Sequence, residues 1–298
     1  MYARLRRIAR TGTAREKPAT RSHYILVITF VVVSYNTRAH LERCLAALPG
    51  PTIMVDNAST DGSAELATIR NERNLGFGAA ANIGIKAAAT PWVFLLNPDV
   101  QLLPASLTPL FAAARDSRVG VVGPSLISPG GRRQRSTFSD PTLWQALKRN
   151  ILFTETIAAR FSRLRKSQQT SEVSVDWLLG AAMLIRRECW AQIGGFDESI
   201  FLYSEDWDFC CRARQAGWRV VFAPEAQVIH HGNAAGESFG EDRLTRVTLS
   251  ELRVIEKHYG ARTASAHRLL ATLGSALRAP FSEKHRRLLR ALLFSSEN

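Results

Sequence analysis

The chain has 298 residues, 46% of them hydrophobic, and 39 Lys and Arg against 26 Asp and Glu give a net charge of +13. That length and apolar content can bury a full core as one large α/β domain with appendages, and they exclude a disordered or fibrous chain. The charge resembles that of a nucleic-acid binder, but it is gathered at the two ends rather than spread over the body, so no nucleic-acid partner is expected.

Residues 1–24 hold seven cations against Glu16, a net +6, and residues 262–298 hold seven against Glu283 and Glu297, a net +5. Basic ends on a nearly neutral body suit an anionic surface, either a membrane leaflet or a polyanion. Residues 1–23 are read as a basic, disordered tail. No small-residue cleavage site follows it, so export is rejected, and no stretch reaches the ~20 apolar residues of a membrane span. Cys44, Cys189, Cys210 and Cys211 show no C-x-x-C spacing, which points to a reduced, cytoplasmic location.

From residue 24 to 235 strand and helix alternate, which predicts an α/β fold, a mostly parallel mixed sheet flanked by helices. Strands are expected over 25–34, 52–55, 92–96 and 119–122, with helices over 38–48, 63–70, 79–88 and 104–115. Pro104 suits a helix start, where its missing N–H costs nothing. Beyond Gly123 the pattern weakens. A turn at Pro129-Gly130-Gly131 precedes a basic, loosely helical insertion over 144–166, then a strand over 175–186, a helix over 205–216 ended by Gly217, and a strand over 219–223. Residues 236–298 read as a basic C-terminal helical region. Leu269, Leu270, Leu273 and Leu277, then Leu288, Leu289, Leu292 and Leu293, form two stripes at helical spacing. These stripes either pack on the domain or lie on the inner face of a membrane.

The chemistry sits at the strand ends. The apolar strand over 92–96 runs into Asn97-Pro98-Asp99, and the proline throws Asp99 out of the ladder. The strand over 52–55 ends in Asp56-Asn57-Ala58-Ser59-Thr60-Asp61-Gly62. In open α/β sheets ligands bind in the crevice outside such carboxyl ends. Asp56 either caps the following helix or accepts a hydrogen bond from the base or ribose of a nucleotide. Asp99 is either a turn carboxylate or, the preferred reading, the anchor of Mg²⁺ or Mn²⁺, since such ions take one or two protein carboxylates plus substrate phosphate oxygens.

Gly76-Phe77-Gly78 lacks the spacing of a dinucleotide fingerprint and reads as a tight entry into a helix, with Asn82 kept as a ligand candidate. Asp197 and Glu198, then Glu205, Asp206 and Asp208, crowd five acids into a short region. Acids are favoured at a helix start by the dipole, and one fixed there, Asp206 or Glu205, can act as general base toward an acceptor hydroxyl. Of His230-His231, one is a candidate metal or phosphate ligand, taken as His231. Trp177, Gly180 and Ala181 are core residues by default, yet a Trp followed by small residues also suits the wall of a sugar or phosphate site. No serine elbow, zinc spacing or Walker loop is present, so the carboxylates must carry the chemistry.

Taken in order, Val31-Val32-Val33-Ser34-Tyr35-Asn36, Val55 to Gly62, Asn74-Leu75-Gly76-Phe77-Gly78, Asn97-Pro98-Asp99, Gly194-Gly195-Phe196-Asp197 and Tyr203-Ser204-Glu205-Asp206 resemble the inverting glycosyltransferases of family two, in their rhamnosyltransferase-like branch. The resemblance covers about residues 25–235 and implies the GT-A fold. It also implies a nucleotide-sugar donor surrounded by Ser34, Tyr35, Asn36, Asp56, Asn82, Asn97 and Asp99, a base at Asp206, and a glycan or lipid-linked acceptor. Asp99 stands for the last acid of the family's Asp-x-Asp metal motif, and Asn97 replaces the first. Two rivals carry different expectations. A nucleotidyltransferase would place a Gly-rich, Arg-containing loop where Ser34-Tyr35-Asn36-Thr37-Arg38 stands, and a polyanion binder would show steeply salt-dependent affinity.

Overall fold

The computed structural model describes residues 26–152, 173–232 and 243–294. The basic tail expected over 1–23, and residues 153–166 of the expected insertion, lie outside them. Strand β1 (Ile28–Ser34) is buried along its whole length. Ile28, Phe30 and Val32 pack on one side of the sheet, Val31 and Val33 on the other, the period of two expected of a strand covered on both faces. Helix α1 (Arg38–Ala46) returns the chain to β2 (Thr52–Asp56), which pairs parallel with β1.

The helix expected over 63–70 does not form. A single 3₁₀ turn, Ser63–Leu66, leads into a short edge strand β3 (Ile69–Arg70), where Ile69 pairs with Val55 and Arg70 with Asp56. Pairing so soon after the turn leaves no length for a helix. Helix α2 (Phe77–Ala87) lies close against the sheet: a Cβ on Gly84 would stand 2.5 Å from Val31 Cγ1 and 3.1 Å from Val55 Cγ2. Only glycine permits that approach.

Strand β4 (Trp92–Leu96) has the expected bounds and pairs parallel with β1. It is followed by β5 (Val100–Leu102), α3 (Leu107–Ala113), β6 (Val119–Ile127), β7 (Thr137–Phe138) and α4 (Leu143–Asn150). Helix α4 starts with a capping box between Thr142 and Gln145. The strand expected over 175–186 is divided: β8 (Val173–Ser174) precedes β9 (Trp177–Leu178), and β10 (Ala182–Arg186) resumes after a gap. In that gap the Gly180 N–H leaves the ladder for a side chain of the site described below. Helices α5 (Arg187–Gln192) and α6 (Glu205–Gln215) lead to β11 (Arg219–His230), which passes Pro224 through a register shift and runs seven residues beyond its expected end.

The main sheet has the order β3-β2-β1-β4-β10-β6-β11-β5, with β8 on β11. Strands β5, β8 and β10 run against the rest. Helices α1 and α3 cover one face, and α2, α5 and α6 the other. Three further helices, α7 (Arg243–Tyr259), α8 (Ala261–Arg278) and α9 (Glu283–Phe294), pack beside α6. A cluster of Ile200, Trp207, Cys211, Val254, Ile255 and Ala264 joins them to the domain, and Leu252, Ala271, Leu288 and Leu292 hold them together. No described helix is long and apolar enough to cross a membrane.

Candidate active site

The carboxyl ends of β1, β2 and β4 open into a cavity of about 380 Å³, closed on its other sides by the start of α6 and by α7. Tyr35, Asn97, Asp99, Trp177, Gly180, Ala181, Glu205 and Asp206 all line it. Residues from four distant stretches of the sequence are thereby brought together.

Asp206 is 6% exposed and fixed by backbone donors alone: Gly180 N–H donates to Oδ2 at 2.7 Å and Trp207 N–H to Oδ1 at 2.8 Å. A Cβ on Gly180 would stand 3.1 Å from Asp206 Cβ, so the donor position is shaped for glycine. Glu205, beside it, is 7% exposed, and its Oε2 is buried without a hydrogen-bond partner. Burial raises the pKa of both carboxyls, and the Asp206 charge raises that of Glu205 further. The two backbone N–H groups favour the Asp206 anion, so Asp206 is the ionised member and Glu205 holds the proton. Tyr203 and Ser204, immediately before the pair, have φ of +68° and +66°. Such strain in non-glycine residues is retained where neighbouring structure enforces it, and here it sets the angle at which the acids enter the cavity.

Asp99, 4% exposed, faces a histidine, with its Oδ2 3.6 Å from His230 Nε2. Gln134 fixes that ring. Its Nε2 donates to the His230 carbonyl at 2.8 Å, which leaves its Oε1 to accept from His230 Nδ1 at 2.6 Å. The Nδ1–H tautomer follows, and Nε2 presents a lone pair toward Asp99. Burial lowers the His230 pKa, in keeping with a neutral ring. One carboxylate oxygen and one imidazole nitrogen at this separation can both reach a cation whose bonds are ~2.1 Å long. Among the described residues no group of three or more His, Cys, Asp or Glu forms a complete metal cage. The donor set therefore fits a Mg²⁺ or Mn²⁺ ion only if its remaining ligands were supplied from outside these two side chains.

The other candidates are placed differently. Ser34 is buried against Thr37 Oγ1 at 2.7 Å. Asn36, at φ +52°, accepts from Thr60 N–H through Oδ1 and donates its own N–H to Ser59 Oγ, which ties the end of β1 to the loop after β2. Asp56 accepts the Ser59 N–H at 2.9 Å through Oδ2, while its buried Oδ1 has no hydrogen-bond partner. Neither Ser34, Asn36 nor Asp56 is in the cavity lining, although Asn57 is. Asn82 lies outside the lining too. Its amide donates to the Phe196 carbonyl and to Glu198, and accepts from Phe196 N–H and Trp190 Nε1, so it pins the turn at Gly195 to Glu198. The His231 ring stands 5.7 Å from that of His40, and His231 N–H donates to the Asp99 carbonyl. The ring that stands 3.6 Å from the Asp99 carboxylate is that of His230, the neighbour of the expected ligand. Trp177 stacks on Phe138 with centroids 4.1 Å apart, making a flat apolar wall.

Sequence reasoning missed several lining residues. Asn57 braces the 71–76 loop through Asn71, Asn74, Leu75 and Gly76, and a run of three asparagines within 18 residues was its only signal. Phe138, and Gln134, which is outside the lining but holds the His230 ring, come from a stretch without periodicity. Arg243, Val247 and Glu251 line the cavity from α7 at helical spacing, in a region read only as a basic appendage.

The sheet and the acids at its strand ends define a class, the GT-A glycosyltransferases. GalNAc-T7, crystallised with UDP, GalNAc and Mn²⁺, shares the fold at a TM-score of 0.58 and 17% identity, over 91% of this chain and 56% of its own. Staphylococcus aureus TarS 1-349 in complex with UDP gives 0.50 and 16%, over 90% of this chain and 75% of its own. Within the class, the chain belongs to the family described as Glycosyltransferase like family 2, which its residues 26–246 match. The N-acetylglucosaminyl-diphospho-decaprenol L-rhamnosyltransferase of Mycobacterium tuberculosis is 38% identical over 237 residues, covering 69% of this chain and 76% of that protein. Rhamnosyltransferase WbbL of Escherichia coli is 35% identical over 78 residues, 26% of this chain and 30% of that protein.

Proposed function

We propose that this glycosyltransferase moves L-rhamnose from a nucleoside diphosphate donor, dTDP-L-rhamnose, to a hydroxyl of a lipid-linked or polysaccharide glycan at the cytoplasmic face of the cell membrane. The observation that carries the reading is a single cavity holding a backbone-fixed Asp206 anion and the Asp99–His230 pair. The rhamnosyltransferase names of two relatives support the sugar, and the diphospho-decaprenol of one supports the acceptor.

Asp206 accepts the proton of the acceptor hydroxyl as that oxygen bonds to the anomeric carbon. The bond from that carbon to the diphosphate breaks on the opposite face and the electron pair leaves with the diphosphate, so one displacement inverts the centre. Trp177 and Phe138 wall the site, and Ala181 with Gly180 lets the backbone approach the sugar or its phosphates. Asp56 Oδ1, unpartnered but buried outside the cavity lining, would accept from the base or ribose of the nucleotide if the loop after β2 opens to admit it. Asp99 and His230 would hold a divalent cation, which would supply neutralisation of the charge on the departing diphosphate.

Incubating the purified protein and Mn²⁺ with a panel of nucleoside diphosphate sugars and an N-acetylglucosaminyl-diphospho-polyprenol tests this. The expected product is a rhamnoside whose anomeric configuration, read by NMR, is opposite to the donor's. Retained configuration, or preferred transfer of another sugar, contradicts the reading.

A further inference from the structure

Helices α8 and α9 bury one apolar side and leave a second one exposed. Ala271, Leu288 and Leu292 face inward onto Leu252 of α7. On the outside, Leu269, Leu273 and Leu277 follow one another at i, i+4 and i+8, so they form a single line along α8, at 58%, 47% and 57% exposure. Phe281, in the bend between the helices, is 90% exposed, and Phe294 at the end of α9 is 79% exposed. Arg268 Nη1 donates to the Leu292 carbonyl, which brings the end of α9 alongside the Leu269 turn of α8. An ordinary surface helix has one apolar stripe and places it inward, so a second stripe is a docking feature.

The charge around this face selects its occupant. Residues 261–294 hold seven Lys and Arg against one Glu, a net +6, and that Glu283 is already paired with Arg286 and Arg287. A second copy of this chain brings the same positive face, and residues 1–24 bring a further +6, so both meet like charge. An anionic lipid surface meets opposite charge and takes apolar side chains between its headgroups.

We propose that the outer face of α8 and α9 docks on an anionic membrane surface. The inference goes beyond the sugar-transfer reading and does not depend on it, although a lipid-linked acceptor gives it a use. Helix α7 lines the cavity through Val247 and Glu251 and packs on the other two helices through Leu252. The cavity and the docking face are thus two helix layers apart, about 20 Å.

Flotation of the full-length protein with phosphatidylcholine vesicles, with and without about a third phosphatidylglycerol, provides the test. The expected result is flotation with the anionic vesicles only. A combined Leu269→Ser, Leu273→Ser, Leu277→Ser variant and a Lys284→Glu, Arg290→Glu variant are each expected to lower partitioning by roughly tenfold or more, with unchanged melting temperature and unchanged donor turnover on a water-soluble acceptor. Equal flotation of wild type and both variants overturns the proposal, as does equal binding to neutral vesicles. Concentration-dependent dimerisation abolished by the leucine variant, without flotation of the wild type, assigns the face to a second copy and also overturns it. Failure of the rhamnose-transfer assay leaves the flotation result standing, so the two readings fail separately.

Discussion

At the scale of single residues the decisive feature is the division of labour between Glu205 and Asp206. They are adjacent and both buried, and Asp206 receives the N–H groups of Gly180 and Trp207, which favour its anion, while an oxygen of Glu205 is left without a partner. Burial nevertheless raises the Asp206 carboxyl, to about 6, so the proposed base is lost by protonation as pH falls through that value. The predicted pH–rate profile is level above neutrality and falls about tenfold per unit below about 6. A rate unchanged down to pH 5 contradicts the assignment. Asn82 makes a contrasting prediction, because its side-chain hydrogen bonds go to the turn at Gly195 to Glu198 and to Trp190 of α5. Asn82→Ala strands the buried Phe196 N–H and the Trp190 indole N–H, at about 1–3 kcal/mol each. Its melting temperature is expected to fall while the donor KM changes less than about threefold, whereas a nucleotide ligand at this position requires a large rise in KM.

At the scale of elements, strands β1, β2 and β4 were legible because unbroken apolar runs ended in turn-forming polar residues. What misled was local. Ser63 to Leu66 carries helix-starting chemistry, but pairing of Ile69 with Val55 overrides it. Pro224 reads as a strand terminator, yet a register shift carries β11 past it and so delivers His230 to Asp99. Helix α7 owes its position to a contact no periodicity announces. Asp208, fully buried on α6, accepts from Arg212, Lys257 and His258 at 2.7 to 2.8 Å. Burial alone raises its pKa, and Lys257, Arg212 and His258 more than reverse this, so its pKa lies below the usual carboxylate value. Its stabilising contribution is therefore complete above the ordinary carboxylate range and is lost as pH falls through the lowered value. Asp208→Asn is expected to cost about 3–5 kcal/mol in urea unfolding near neutrality, with the gap from wild type closing on acidification. A difference below about 1 kcal/mol near neutrality sinks this account of how α7 is held.

At the scale of the whole molecule, the sheet brings Asp99 and Asp206 into one cavity from positions 107 residues apart in the chain. Both acids were legible because each stands at an element boundary where a bland structural role leaves its charge unexplained. Gln134, Phe138 and Arg243 were not, since nothing in their neighbouring residues shows which long-range partners they meet. The C-terminal helices are part of the same body: α7 supplies a wall of the cavity, and its outer neighbours carry the lipid-facing surface inferred above. Catalysis by Asp206 is the claim on which these levels converge. Its most direct test is a comparison of Asp206→Asn with wild type, measuring donor affinity by calorimetry and rhamnose transfer at saturating donor. The predicted outcome is donor binding within about threefold of wild type and a transfer rate lower by about 10²–10⁴-fold. Full transfer activity in the variant contradicts the mechanism.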